Sequence, residues 1–160
     1  LPKLPKLPKL SKAPKRASRE CLAVLLVALS ASLVAGCSQK KVEECNQLAG
    51  VINDGLDKLE ARPAPAGEGN GVAELTGLAE AMDQLGQGAA KVTVTQPELQ
   101  KIAADYQAMT KDVAQAARDM AAAATAKDEK KLAAAEASLQ AAVKKEDPLV
   151  TELNRFCHAE

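Results

Sequence analysis

Cysteine and histidine are the side chains of this 160-residue chain with the widest chemistry, and there are four of the first and one of the second. A cysteine thiol can carry lipid or form a disulfide, and Cys21, Cys37, Cys45 and Cys157 are the candidates. His158 would suit a helix-bundle cytochrome only if a methionine or second histidine faced it from a neighbouring helix. Met82, Met109 and Met120 are the available partners, but they fall on stripes that also hold Leu and Val, where packing is the usual role. There is no Cys-x-x-Cys-His for covalent haem, no Glu-x-x-His pair for a di-metal bundle, and no Gly-x-Ser-x-Gly or His-Glu-x-x-His motif. Glu43-Glu44, Asp54 with Asp57, and Asp128-Glu129 are acidic neighbours, and adjacent carboxylates at helix starts suit caps and dipole partners. Gly67-Glu68-Gly69-Asn70-Gly71 follows no strand and reads as a linker. The expectation is a protein without catalytic or metal-binding residues.

The elements that carry these residues are helical. Val42, Cys45, Leu48, Ile52, Leu56 and Leu59 recur in steps of three and four, which brings them to one face of a helix over 42–60. Pro63, Pro65, Gly67, Gly69 and Gly71 end it. Val72, Leu75, Leu78, Met82 and Leu85 mark a second helix over 72–88, with Gly77 inside it and Gly86 and Gly88 at its end. Lys91 to Thr95 alternates like a strand, but a lone strand leaves its backbone unpaired, so the segment is expected as an extended connector. Thr95-Gln96-Pro97-Glu98 has the form of a helix start, with a threonine cap, an early proline and a glutamate three residues on. The third helix, 96–126, carries Leu99, Ile102, Tyr106, Met109, Val113, Ala117, Met120 and Ala124 on one stripe. Asp128 caps the fourth, 128–157, on which Leu132, Ala135, Leu139 and Val143 are followed by Val150, Leu153 and Cys157, with Asp147-Pro148 as a kink or jog or, alternatively, as a new cap with proline at the first helical position.

Upstream the chain changes character. Leu1-Pro2-Lys3 recurs as Leu4-Pro5-Lys6 and Leu7-Pro8-Lys9, a spacing that favours extended polyproline II and forbids a helix. It reads as an overlong leader or a cationic tether. Residues 1–36 hold seven Lys or Arg against Glu20 alone, and Cys21 to Gln39 is an uncharged run of nineteen residues. Basic residues before an apolar run are the signature of a secretory signal. The run closes on Leu33-Val34-Ala35-Gly36-Cys37, a hydrophobic residue, two small ones and a cysteine in its last four positions. At this point the chain resembles the bacterial lipoproteins cleaved by the type II signal peptidase, with Val34, Ala35 and Gly36 as the peptidase site and Cys37 as the lipid-bearing residue. The resemblance covers about residues 15 to 39. It implies a thioether diacylglycerol and an amide-linked acyl chain, such as palmitate, on Cys37, and no other cofactor. An uncleaved signal-anchor helix and an ordinary secretory cut near Ser30-Ala31-Ser32 are the competing readings.

Cleavage before Cys37 would leave 124 residues, enough for one domain with a modest core. Those residues hold fourteen basic and twenty acidic side chains, interspersed, which argues against nucleic acid as a partner. The core would be rich in alanine, with Tyr106 and Phe156 as the only aromatics. Each small side chain buries little area, so at about 25 cal/mol per Å2 another source of stability is expected. The lipoprotein resemblance supplies it. With Cys21 removed and Cys37 acylated, Cys45 and Cys157 are left in an oxidising compartment, and a disulfide between them suits an even number of up-and-down helices. Two buried free thiols are the alternative.

The expected fold is therefore all-α: an up-and-down antiparallel four-helix bundle over 42–160 after a cleaved signal peptide. It would comprise a basic leader over 1–20, an apolar region over 21–36 and a lipidated tether over 37–41. The expected function is a membrane-anchored, non-enzymatic structural or protein-interaction module of the bacterial cell envelope. By the family's sorting habit Ser38 favours the outer membrane. A periplasmic bundle holding a small molecule, metal or haem among its alanines is one alternative, and a coiled-coil spacer is the other. The membrane and other envelope proteins are the expected partners, for a monomer or an oligomer of the chain.

Overall fold

A computed structural model describes residues 34–62 and 71–158, with side chains from residue 39 onward. The basic leader, the apolar run as far as residue 33, Cys21 and the Pro/Gly stretch over 63–70 lie outside the described residues. Those described form α1 (Val34–Glu60), α2 (Gly71–Ala90), α3 (Pro97–Ala126), α4 (Glu129–Val143) and α5 (Glu146–His158), with no strand among them. The domain is all-α.

Helix α1 starts earlier than the stripe beginning at Val42 implies. It runs unbroken through the stretch over 37–41 expected as a tether. Nothing between Val34 and Lys41 stops it, since there is no proline and one internal glycine costs only about 1 kcal/mol. Val42, on the same stripe, is exposed. Cys45, Leu48, Ile52 and Leu56 are buried as a face should be.

Helix α3 packs against α2, α4 and α5, while α1 packs against α2 and α5. Twelve of its residues are buried, among them Leu99, Ile102, Tyr106, Met109, Val113 and five alanines between Ala114 and Ala123. Neighbours on several sides explain why the buried set is broader than one stripe. Small residues set the spacing: a Cβ on Gly86 would lie 2.5 Å from Thr110 Oγ1, and one on Gly55 would meet the Leu85 side chain. These are places where two helices approach more closely than any side chain would allow. Along α1 and α2, Val51 faces Gly88 and Gly55 faces Leu85, so positions rise in one helix as they fall in the other. Glu98 with Arg155 and Asp112 with Lys145 show the same order for α3 against the α4–α5 pair.

The connector before α3 is extended, with Val92 and Val94 half-buried against the core. The cap of α3 differs from expectation. Gln96 occupies the N-cap position without a side-chain bond, and Thr95 turns its hydroxyl toward Glu44 on α1 instead. Helix α3 ends on Lys127, whose φ of 54° is the left-handed conformation normally given to glycine. There the Lys127 and Asp128 amides donate to Ala124 and Ala123 carbonyls at 3.1 and 3.0 Å. Asp128 then caps α4, accepting from the Lys131 amide at 3.0 Å.

The expected single helix over 128–157 is two. A turn at Lys144-Lys145 separates α4 from α5, just ahead of the Asp147-Pro148 position at which the sequence suggests a kink. Proline has no amide to donate four residues back, and its ring collides with that carbonyl, so the ladder fails one turn before the proline itself. Pro148 then sits in the first turn of α5, where no amide bond is required of it.

Candidate functional site

Leu139, Val143, Val150, Leu153 and Cys157 follow one another in helical steps, and the step between Val143 and Val150 falls on Glu146. The turn at 144–145 preserves that face, so the carboxyl is carried inward with the stripe. It enters a cavity of about 80 Å3 to which all five helices contribute. Leu56 and Leu59 come from α1, Leu78 and Met82 from α2, Tyr106, Met109 and Val113 from α3, Leu139 and Val143 from α4, and Glu146 from α5. The wall is otherwise almost wholly hydrocarbon.

Glu146 is only 5% exposed and Tyr106 only 2%. No described residue forms a hydrogen bond or ion pair with the carboxyl of Glu146, and none bonds the hydroxyl of Tyr106. Burial raises the Glu146 pKa to about 7, and the adjacent charge of Asp147 adds to the effect. Burial likewise pushes the Tyr106 hydroxyl above its ordinary range, with the Glu146 charge as the lesser cause. The neighbouring cation does not help, since Lys145 Nζ is paired with Asp112 at 2.8 Å. A groove of about 420 Å3 between α1 and α2 is larger, but of its charged residues Asp54, Lys58 and Glu80 are exposed to water and Arg62 is half-buried.

A second buried carboxylate is fully satisfied. Glu44 accepts the Thr95 hydroxyl at 2.6 Å on one oxygen, and the Thr95 and Gln96 amides at 2.9 and 3.3 Å on the other. It therefore serves the first free amides of α3 from another helix, where a local side chain ordinarily would. These bonds, the Thr95 hydroxyl first, lower its pKa. Glu44 and Glu146 are the same residue type under similar burial, yet one is pulled toward the charged form and the other toward the neutral form.

Cys45 and Cys157 form a disulfide, with Cα atoms 5.8 Å apart across a sequence separation of 112. It joins α1, one residue after Glu44, to the last turn of α5. Beside it Lys41 Nζ lies 4.8 Å from the centre of the Phe156 ring, a cation–π contact between the same two helices. Val34, Ala35, Gly36 and Cys37 are consecutive residues of α1, and their side chains lie outside the described residues.

The candidates for haem are kept apart. Met82 and Met109 line the cavity, whereas His158 is exposed at the far end of α5 from Glu146. Thirteen residues of helix separate the two ends by about 18 Å. Space does open where the alanines are, in shallow grooves of about 460 Å3 beside Ala122, Ala126 and Ala134 and about 350 Å3 beside Ala116 and Ala141, whereas the cavity that holds the buried acid is walled mainly by leucine, methionine and tyrosine. Among the described residues no group of three or more His, Cys, Asp or Glu is placed to hold a metal ion. Among them, too, no helix is long and apolar enough to cross a membrane. No protein-family model, curated protein or solved structure matches the chain.

Proposed function

We propose that the chain is the precursor of a lipid-anchored bacterial envelope protein, cut between Gly36 and Cys37 and acylated on Cys37. The observation that carries this reading is the Val34-Ala35-Gly36-Cys37 tetrad at the end of an uncharged run behind a basic leader. The Cys45–Cys157 disulfide supports it, because such bonds persist in oxidising compartments outside the cytosol. Two acyl signals or more on one residue give stable anchoring, since each buried methylene contributes about 0.8 kcal/mol and a single chain is marginal.

The mature domain acts as a non-enzymatic helical module for contact with other envelope proteins, and Ser38 favours the outer membrane. Its helices are arranged up and down in an antiparallel four-helix bundle, with α4 and α5 together as the fourth. The opposed order of the facing positions in α1–α2 and in α3 against α4–α5 supports that arrangement. Because α1 is helical through Cys37, eight residues before Cys45, the lipid would lie about 12 Å along the axis from the disulfide. The anchor would thus join the domain rigidly, with Lys40 and Lys41 at the level of anionic head groups.

The test is metabolic labelling of cells with a clickable palmitate analogue, comparing wild type with Cys37→Ser. Loss of label with accumulation of uncleaved precursor is the expected result. Equal labelling of the two chains refutes the reading.

A further inference from the structure

A buried carboxyl without a partner, set in a hydrocarbon wall, is costly unless something pairs with it. Glu146 is such a group, and it faces a cavity with room for a guest. We propose that this cavity binds a small amphipathic cation, a primary alkylamine whose ammonium pairs with the Glu146 carboxylate and whose hydrocarbon body lies against Met82, Met109 and Leu139. The proposal is independent of anchoring through Cys37, so either can fail alone.

Charge selects the cation. Glu146 and Asp147 are adjacent carboxylates at the start of α5, and the nearest lysine in sequence, Lys145, is already held by Asp112. An ammonium pairs with the Glu146 charge, whereas an alcohol leaves it unpaired and a carboxylate adds a second charge to the cavity. A divalent metal ion is the wrong cation, because it needs several oxygen ligands and this wall offers one carboxylate and one phenol. Tyr106 on α3 and Asp147 are the titratable groups acting on Glu146; the α1, α2 and α4 walls contribute none.

Shape sets the body. A cavity of about 150 Å3 lined by Leu, Ile and Phe accepts the six carbons of benzene, so one near half that size holds about three heavy atoms, and because this one is partly open the far end of a four-carbon chain lies against half-buried Leu78 and Leu139. The Tyr106 hydroxyl, also without a protein partner, lies on the same wall as Glu146 and can accept a second ammonium proton.

The chain supplies its own reporters. Its methionines number three, of which Met82 and Met109 line the cavity and Met120 does not. Full-length protein labelled with 13C at the methionine methyls is titrated with n-butylammonium at about pH 8, where Glu146 is ionised, up to about 50 mM. Saturable shifts of the Met82 and Met109 methyls, with Met120 unmoved, are expected. n-Butanol and butyrate should bind about tenfold more weakly or worse, as should n-butylammonium to Glu146→Gln. In the unmutated protein, saturating n-butylammonium should lower the midpoint of Glu146 titration by about one pH unit or more, a readout that needs no variant. Non-saturating shifts, equal movement of Met120, butanol binding as well as the amine, undiminished binding to Glu146→Gln, or an unmoved Glu146 titration would each overturn the proposal.

Discussion

Glu146 should make this domain less stable as pH rises through neutrality, the reverse of what a paired carboxylate does. Its folded pKa is about 7 against a reference of 4.5. Below the reference value the group is protonated in both states and contributes no pH-dependent term. Between the two values the folded chain binds more protons than the unfolded one, so stability falls with pH across that window. A difference of this size, at 1.36 kcal/mol per pH unit, amounts to about 3 kcal/mol by pH 8. The side chain is 5% exposed but lines a partly open cavity, so screening by water makes that figure an upper one.

The perturbation is Glu146→Gln, which keeps shape and removes the charge. Urea unfolding of both proteins, followed by circular dichroism between about pH 5 and pH 8, gives stability by linear extrapolation. Taking the difference between variant and parent at each pH cancels every other titrating group. That difference should move by up to about 2.5 kcal/mol in the variant's favour from pH 5 to pH 8, since the remainder has developed below pH 5. A difference constant to within about 0.5 kcal/mol would refute the reasoning, for the carboxyl would then be solvated or paired.

The disulfide should be the largest single contribution to stability. The loop it closes, with a separation of 112, is worth about 5 kcal/mol in the chain-entropy account, so Cys45→Ala with Cys157→Ala should melt roughly 15–20 °C lower by circular dichroism. Glu44→Ala should speed hydrogen exchange at the Thr95 and Gln96 amides while leaving exchange in α4 unchanged. Because those bonds lower the Glu44 pKa, their contribution is present above the unfolded pKa and should be lost as pH falls through the folded one. Gly86→Val should cost about 1–3 kcal/mol in urea unfolding through its collision with Thr110, while Lys127→Gly should add roughly 1 kcal/mol by relieving a left-handed lysine.

The residues differ in how far the sequence discloses them. Cys45 and Cys157 were legible as a pair only through the lipoprotein resemblance, which would remove Cys21 and acylate Cys37 and leave two thiols. Glu146 left a trace that is easily overlooked: an acid on the one step of an apolar stripe between Val143 and Val150. Periodicity marks it as inward-facing, but a stripe carries no information on whether a donor waits opposite. Glu44 left less, since its partners Thr95 and Gln96 are about fifty residues away and the local pattern offered Thr95 as its own helix cap. The exposed Val42 shows the converse, an apolar residue on the expected stripe that the tertiary structure leaves open to water.

Helical class, the positions of the stripes, the Asp128 cap and an interruption near Pro148, though not its outcome as two helices, follow from the sequence alone, because each depends on residues within a turn or two of one another. Which helices touch, and therefore which acid is satisfied and which is stranded, was decided only in the tertiary structure. Side chains on different helices meet according to register and spacing, set here by Gly55 and Gly86 and fixed by the bridge at the Cys45 end. Two glutamates that read alike along the chain thus acquire opposite electrostatics, one beneath three donors and the other against hydrocarbon.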